Sequence, residues 1–271
     1  MKFRIGYELR YHFPQPTPAM LMLNVHYSRV SDLLQPDIIR IDPATTMTHY
    51  RDGFENWCSR IIAPAGKVVV STDAIILDSG LADPVVPDAR QMPVEELPDD
   101  ALVYLLASRF CDSDLLLDLA WSLFGQERPG WPRVDAVCRY VHNRIAFGYT
   151  FARVTRTASE AYREQQGVCR DYAHLAIAFC RALNIPARYC TGYLGDVGTA
   201  PPYPPGDFAG WFEAYLDGRW HTFDPRNYEP RIGRILMARG RDAADVAMVT
   251  TFGPNTLEGF KVWSDEIVDG S

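Results

Sequence analysis

Residues 1 to about 83 have the look of successive strands, and apolar and polar positions alternate in FRIGYELRYHF near the start. FRIGYELRYHF (3–13), IIRIDP (38–43), MTHYRDGFENWCSRIIAP (47–64) and VVVSTDAIILD (68–78) read as strands, because such alternation sets one side of a pleated ribbon against a core and the other in water. Asp52-Gly53 and Pro64-Ala65-Gly66 mark turns between them. The spacing predicts a small β-sandwich, assigned to residues 1–88. DPVVPDARQMPVEELPDD (83–100) is rich in proline and acids, has no regular period, and reads as a linker or an extended crossing segment.

Beyond it the period lengthens to that of a helix. ALVYLLASRF (101–110) and LLLDLAWSLFG (115–125) are helix candidates, and in RVDAVCRYVHNRI (133–145) Val134, Val137, Val141 and Ile145 share one face behind Pro132. Thr157 with Glu160 three residues on spells a capping box for a short helix over 157–165. Gly167 interrupts the chain before CRDYAHLAIAFCRALN, a helix over 169–184, and ARYCTGYL (187–194), FAGWFEAYL (208–216) and RWHTFD (219–224) are strands. Helices, one central helix and then a run of strands follow α+β logic rather than doubly wound α/β logic. Residues 89–271 are assigned to this second, core domain.

The central helix is informative in detail. At about 100° per residue, Cys169 shares an apolar face with Tyr172, Ala173, Ala176, Cys180 and Leu183, while Arg170, Asp171, His174 and Arg181 fall on the opposite, polar side. Cys169 sits in the first turn, where unpaired N–H groups and the positive end of the helix dipole favour a thiolate and can hold an oxyanion. His174 lies about 140° away around the same helix; it is either a base for the thiol or the partner of Asp171 or a backbone carbonyl. The other five cysteines read as buried structural thiols.

Asp217-Gly218 between two alternating runs predicts a type I′ hairpin. Its register would pair Leu216 with Arg219, Tyr215 with Trp220, Glu213 with Thr222 and Trp211 with Asp224. Ala209, Trp211, Glu213 and Asp224 then share one face, and His221 points to the other. Glu213 is a possible proton acceptor on that face or a salt-bridged strand carboxylate.

Composition narrows the function classes. A net charge of −7 lacks the clustered Lys and Arg that nucleic acid or an anionic membrane would require. MKFRIGYELRYHF has charges every few residues and no apolar signal core, and LLLDLAW (115–121) is broken by Asp118, so no membrane span and a cytoplasmic location are expected. Six widely spaced cysteines suit a reducing compartment. No CxxC, HxxxH, HExxH or EF-hand spacing occurs, so neither a metal site nor a cofactor is expected.

GVCRDYAHL (167–175), NIPARYCTGYLGD (184–196), WFEAYLDGRWHTFDPRN (211–227) and PRIGRILMARGRDAADVA (230–247), with YVHNRIAFGY (140–149) and TASEA (157–161) upstream, resemble the transglutaminase-like superfamily. The likeness is in particular to bacterial members described as candidate cysteine proteases with an N-terminal β domain. The resemblance implies a papain-like core of helices on an antiparallel sheet behind the sandwich. It implies cysteine-dependent acyl transfer or hydrolysis of a peptide or small amide, with Cys169 as nucleophile and Asp224 as the acid that orients a histidine. The histidine position of that pattern, two before Trp211, is occupied by Ala209. An imidazole takes the thiol proton and later protonates the leaving amine; alanine does neither. Attack on an activated ester or thioester survives this loss better than amide cleavage. Trp211, Glu213 and His174 are the further candidates for contact with substrate. The alternative is a catalytically impaired relative that binds a peptide or protein partner in the same cleft, and the N-terminal domain offers a surface for homo-oligomers.

Overall fold

The computed structural model describes residues 1–199 and 206–268. Seven strands open the chain: β1 (Lys2–Phe13), β2 (Thr17–Leu21), β3 (Leu33–Gln35), β4 (Arg40–Asp42), β5 (Met47–Arg51), β6 (Trp57–Ala63) and β7 (Gly66–Leu77). β1 pairs antiparallel with β7, which also carries β3 and β4; β2, β6 and β5 form a second sheet. The alternation in β1 buries Phe3, Ile5, Tyr7 and Leu9, which join Leu21 and Ile61 of the second sheet in one apolar core. The expected sandwich is present, with TPAML (17–21) as an additional strand.

The crossing segment leads into α1 (Asp99–Leu102), α2 (Leu117–Phe124), α3 (Trp131–Arg144), β8 (Ala146–Phe147), α4 (Ala158–Glu164), β9 (Gln166–Gly167) and α5 (Cys169–Ala182). The helix expected over 101–110 is cut short. Its later backbone groups are claimed from outside: the buried Arg181 donates to the Leu106 carbonyl and the Ser108 hydroxyl, and Asp242 takes the Phe110 N–H. α4 begins with the Thr157–Glu160 capping box.

β10 (Ala187–Leu194), β11 (Ala209–Leu216), β12 (Arg219–Phe223) and β13 (Arg234–Gly240) form an antiparallel sheet in the order β12-β11-β10-β13. Asp217 and Gly218 both have positive φ, as a type I′ turn needs, and the pairs Leu216–Arg219, Tyr215–Trp220 and Glu213–Thr222 form as the turn dictates. α5 lies between this sheet and helices α2–α4 and is buried almost all round. Its polar side does not reach water. Asp171, His174 and Arg181 are all buried beneath the neighbouring helices and loops, each tied to a partner. The last strands, β14 (Val249–Thr251) and β15 (Thr256–Ile267), return to the sandwich, where β14 pairs with β2 and β15 with β1. Residues 249–267, expected with the core domain, therefore complete the sandwich sheets.

The start of α5 is held by one buried ion pair. Asp171, 1% exposed, accepts from Arg156, 3% exposed, at 3.0 Å, and the same carboxylate oxygen takes the Val168 N–H at 2.9 Å. Gly167 makes room for it: a Cβ there would lie 2.6 Å from the Asp171 carboxylate. Gly167→Ala is expected to lower stability by about 1–3 kcal/mol through overpacking, read as a lower urea midpoint. An unchanged midpoint would show that Asp171 can shift without cost.

Candidate active site

Cys169 is the first residue of α5, and Val168 before it is extended, so the chain turns from strand to helix at the sulfur. The backbone N–H groups of Gly210 in β11 and of Arg170 act on that sulfur in favour of its thiolate. Gly210 makes room for Tyr189: a Cβ there would sit 2.3 Å from the Tyr189 hydroxyl. The residue as a whole keeps some exposure, yet protein packs densely around its sulfur. Burial pushes the thiol up to about 11, the negative charges of Asp207 and then Asp224 add to the rise, and the two N–H groups oppose it. The helix-start lowering expected from the sequence is thus outweighed.

Asp224 follows the last residue of β12 and is caged by donors. Its Oδ1 accepts from the Arg226 and Asn227 N–H groups at 3.1 and 3.0 Å; its Oδ2 accepts from the Asn227 amide at 2.7 Å and the Arg234 guanidinium at 3.1 Å. Arg234 also holds Asp83 at 2.9 Å, and its guanidinium lies 4.7 Å from the ring centre of Trp211. His142 contacts the Pro225 and Arg226 carbonyls at 3.2 and 3.1 Å and braces the following loop.

Cys169, Ala209 and Asp224 line one cavity of about 280 Å³, with Asp207, Arg226 and Asn227 among its other walls. No histidine is among the described residues that line it. The other candidates lie elsewhere. Glu213 is bonded to Arg188 across the β10–β11 ladder at 2.6 Å. Trp211 is buried beneath Arg234. His174 is fully buried, its Nε2 accepts the Ala243 N–H at 3.1 Å, and its ring stacks on Phe110; burial holds its pKa well below the ordinary imidazole value. His221 bonds to the Leu216 carbonyl at 3.2 Å. Sequence reasoning missed Asp83 and Arg234, which come together only in three dimensions, and Asp207, which lies two residues before the alanine. Among the described residues no three His, Cys, Asp or Glu side chains are grouped to hold a metal ion.

A cysteine opening a buried helix against an antiparallel sheet, with an acid at the end of a neighbouring strand, defines the papain-like and transglutaminase-like class. Residues 118–225, the segment that carries Cys169, Ala209 and Asp224, match the family model of the transglutaminase-like superfamily, so this part of the chain is a transglutaminase-like core. The crystal structure of a candidate cysteine protease from Cytophaga hutchinsonii is similar over 98% of this chain and 90% of that one, with a TM-score of 0.84 and 29% identity. An uncharacterized protein of Mycobacterium leprae is 32% identical over 117 residues, 42% of each chain, so the match spans less than half of that relative. An uncharacterized protein of Mycobacterium tuberculosis is 29% identical over 235 residues, 77% of this chain and 73% of the relative.

Two outcomes follow from the geometry. Iodoacetamide alkylation of Cys169, followed by mass spectrometry across pH, is expected to rise with a midpoint near 11 rather than the ordinary 9.0, because only the thiolate reacts; a midpoint below 8 would contradict the desolvated site. Asp224→Asn is expected to cost roughly 1–3 kcal/mol in urea unfolding, since it weakens charge-assisted bonds to a buried guanidinium. A carboxylate with no structural duty would leave stability unchanged.

Proposed function

We propose that this protein is a cysteine-dependent acyl-transfer enzyme whose Cys169 sulfur attacks the acyl carbon of a peptide-like or small acyl donor held in the cavity beside Ala209. The observation that supports the reading best is the convergence of Cys169, Asp224 and the alanine at the imidazole position on one cleft wall. The positive end of α5 beneath the sulfur favours the negative charge that develops on attack.

The same site sets the donor class. With the thiol near 11, about one molecule in 10⁴ carries a thiolate at neutral pH. No imidazole protonates the leaving group. Thioesters and activated esters, which expel their leaving group without an acid, are the favoured donors; amide and peptide hydrolysis is slowed by roughly 10²–10⁴-fold. A second reading, an impaired relative that binds a peptide or protein in this cleft, is favoured by the same Ala209 and high thiol pKa. A reducing, cytoplasmic setting is supported by six free cysteines, five of them buried, and no helix among the described residues is long and apolar enough to cross a membrane.

The test compares the protein with Cys169→Ala and Ala209→His on a thioester panel and an amide panel. The expected result is acylation at Cys169 by thioesters in the unaltered chain, none in Cys169→Ala, and amide hydrolysis at least about 10²-fold faster in Ala209→His. If the unaltered chain is not acylated at Cys169, whether or not Ala209→His is, the acyl-transfer reading falls and the impaired, binding reading stands.

A further inference from the structure

We propose that Asp207 is the proton-transfer residue of this cleft, in place of the imidazole absent at position 209; the proposal rests on the acyl-transfer reading above. Asp207 and Cys169 line the same cavity. Asp207 stands just before β11, the strand that packs against α5, so the element lying against the nucleophile's helix also brings this carboxylate to the cavity wall. The hydrogen bonding of its side chain, among the described residues, is confined to the N–H of the next residue, Phe208, on Oδ1 at 2.7 Å. Oδ2 is left for a proton. Asp224 is occupied by Asn227 and Arg234, Glu213 by Arg188, and His174 by the Ala243 N–H in the core; Asp196 and Glu229 also line the cavity, but the carboxylates whose charge acts most on the thiol are Asp207 and Asp224.

Two further observations agree. Asp207 is exposed at the cleft rim, yet desolvation by the protein around its carboxyl raises its pKa from the ordinary carboxylate value. The thiol feels Asp207 more strongly than Asp224.

The steps are these. As the sulfur–carbon bond forms, the Asp207 carboxylate takes the thiol proton. The tetrahedral adduct then collapses, the bond to the leaving atom breaks, and the Asp207 acid returns the proton to that atom. In hydrolysis water next attacks the acyl-enzyme carbon while Asp207 takes its proton; the carbon–sulfur bond breaks and the sulfur regains that proton. A carboxylate is a weak base for a thiol near 11, so transfer has to accompany bond formation. That requirement narrows the donors to thioesters and activated esters.

The experiment measures two rates at Cys169 on the full chain with p-nitrophenyl acetate and iodoacetamide as probes. In Asp207→Asn, alkylation by iodoacetamide is expected to rise several-fold, because a negative charge beside the thiol is gone. Acylation and turnover of p-nitrophenyl acetate are expected to fall by about 10²-fold, with partial recovery in Asp207→Glu. The opposite movement of the two rates separates proton transfer from mere structural support. If both rates rise together, or neither moves, Asp207 is no more than a local charge and the proposal is overturned. Should the unaltered chain fail to be acylated while Ala209→His is acylated, Asp207 does not replace the imidazole, the acyl-transfer reading of this chain falls with the proposal, and the impaired-relative reading stands.

Discussion

Between Asp83 and Asp224 lies one guanidinium, that of Arg234, stacked on Trp211 and almost wholly removed from water. The arrangement joins the crossing segment, the strand β13, the acid beside the cleft and the central sheet at a single point. Taking these charges out of water is costly, and the cost is offset only while every partner is in place. The position of Asp224 therefore depends on residues far from it in sequence: Asp83 also accepts the Arg231 N–H and donates its own to the Arg231 carbonyl. A segment with the composition of a linker is in fact one wall of the site's foundation.

The electrostatics of Cys169 show which of two opposing effects prevails. The helix start and the backbone N–H groups of Gly210 and Arg170 favour the thiolate, by under about 1 kcal/mol for the dipole. Desolvation and two neighbouring carboxylates favour the thiol, and they win. In a Cys-His pair the imidazolium would reverse that balance by placing a positive charge beside the sulfur. Residue 209 is alanine and supplies no such charge, and the same burial that shapes the cleft keeps the Cys169 thiol protonated.

Much of this was legible in the chain. The Asp-Gly turn set the β11–β12 register, the Thr157–Glu160 box set the start of α4, and Gly167 before Cys169 marked the strand-to-helix turn. What escaped has physical reasons. The polar side of α5 reads as solvent-facing by periodicity alone, because nothing local reveals that Arg156 from an earlier loop will neutralise Asp171. The apolar run at 101–110 reads as helix because the carbonyl and hydroxyl it offers to Arg181 are invisible without the fold. β15 lacks a clear alternation since, of its twelve residues, only Val262 is buried.

That last strand sits beside β1 along nearly its whole length, Lys2 opposite Ile267 and His12 opposite Thr256. The first and last strands of the described chain are thus ladder neighbours, separated by every other element. During synthesis β1 has one bare edge until residues 256–267 have left the ribosome, and such an edge is a template for pairing with other chains. The sandwich is begun first and closed last, and the helical core must be assembled within that interval.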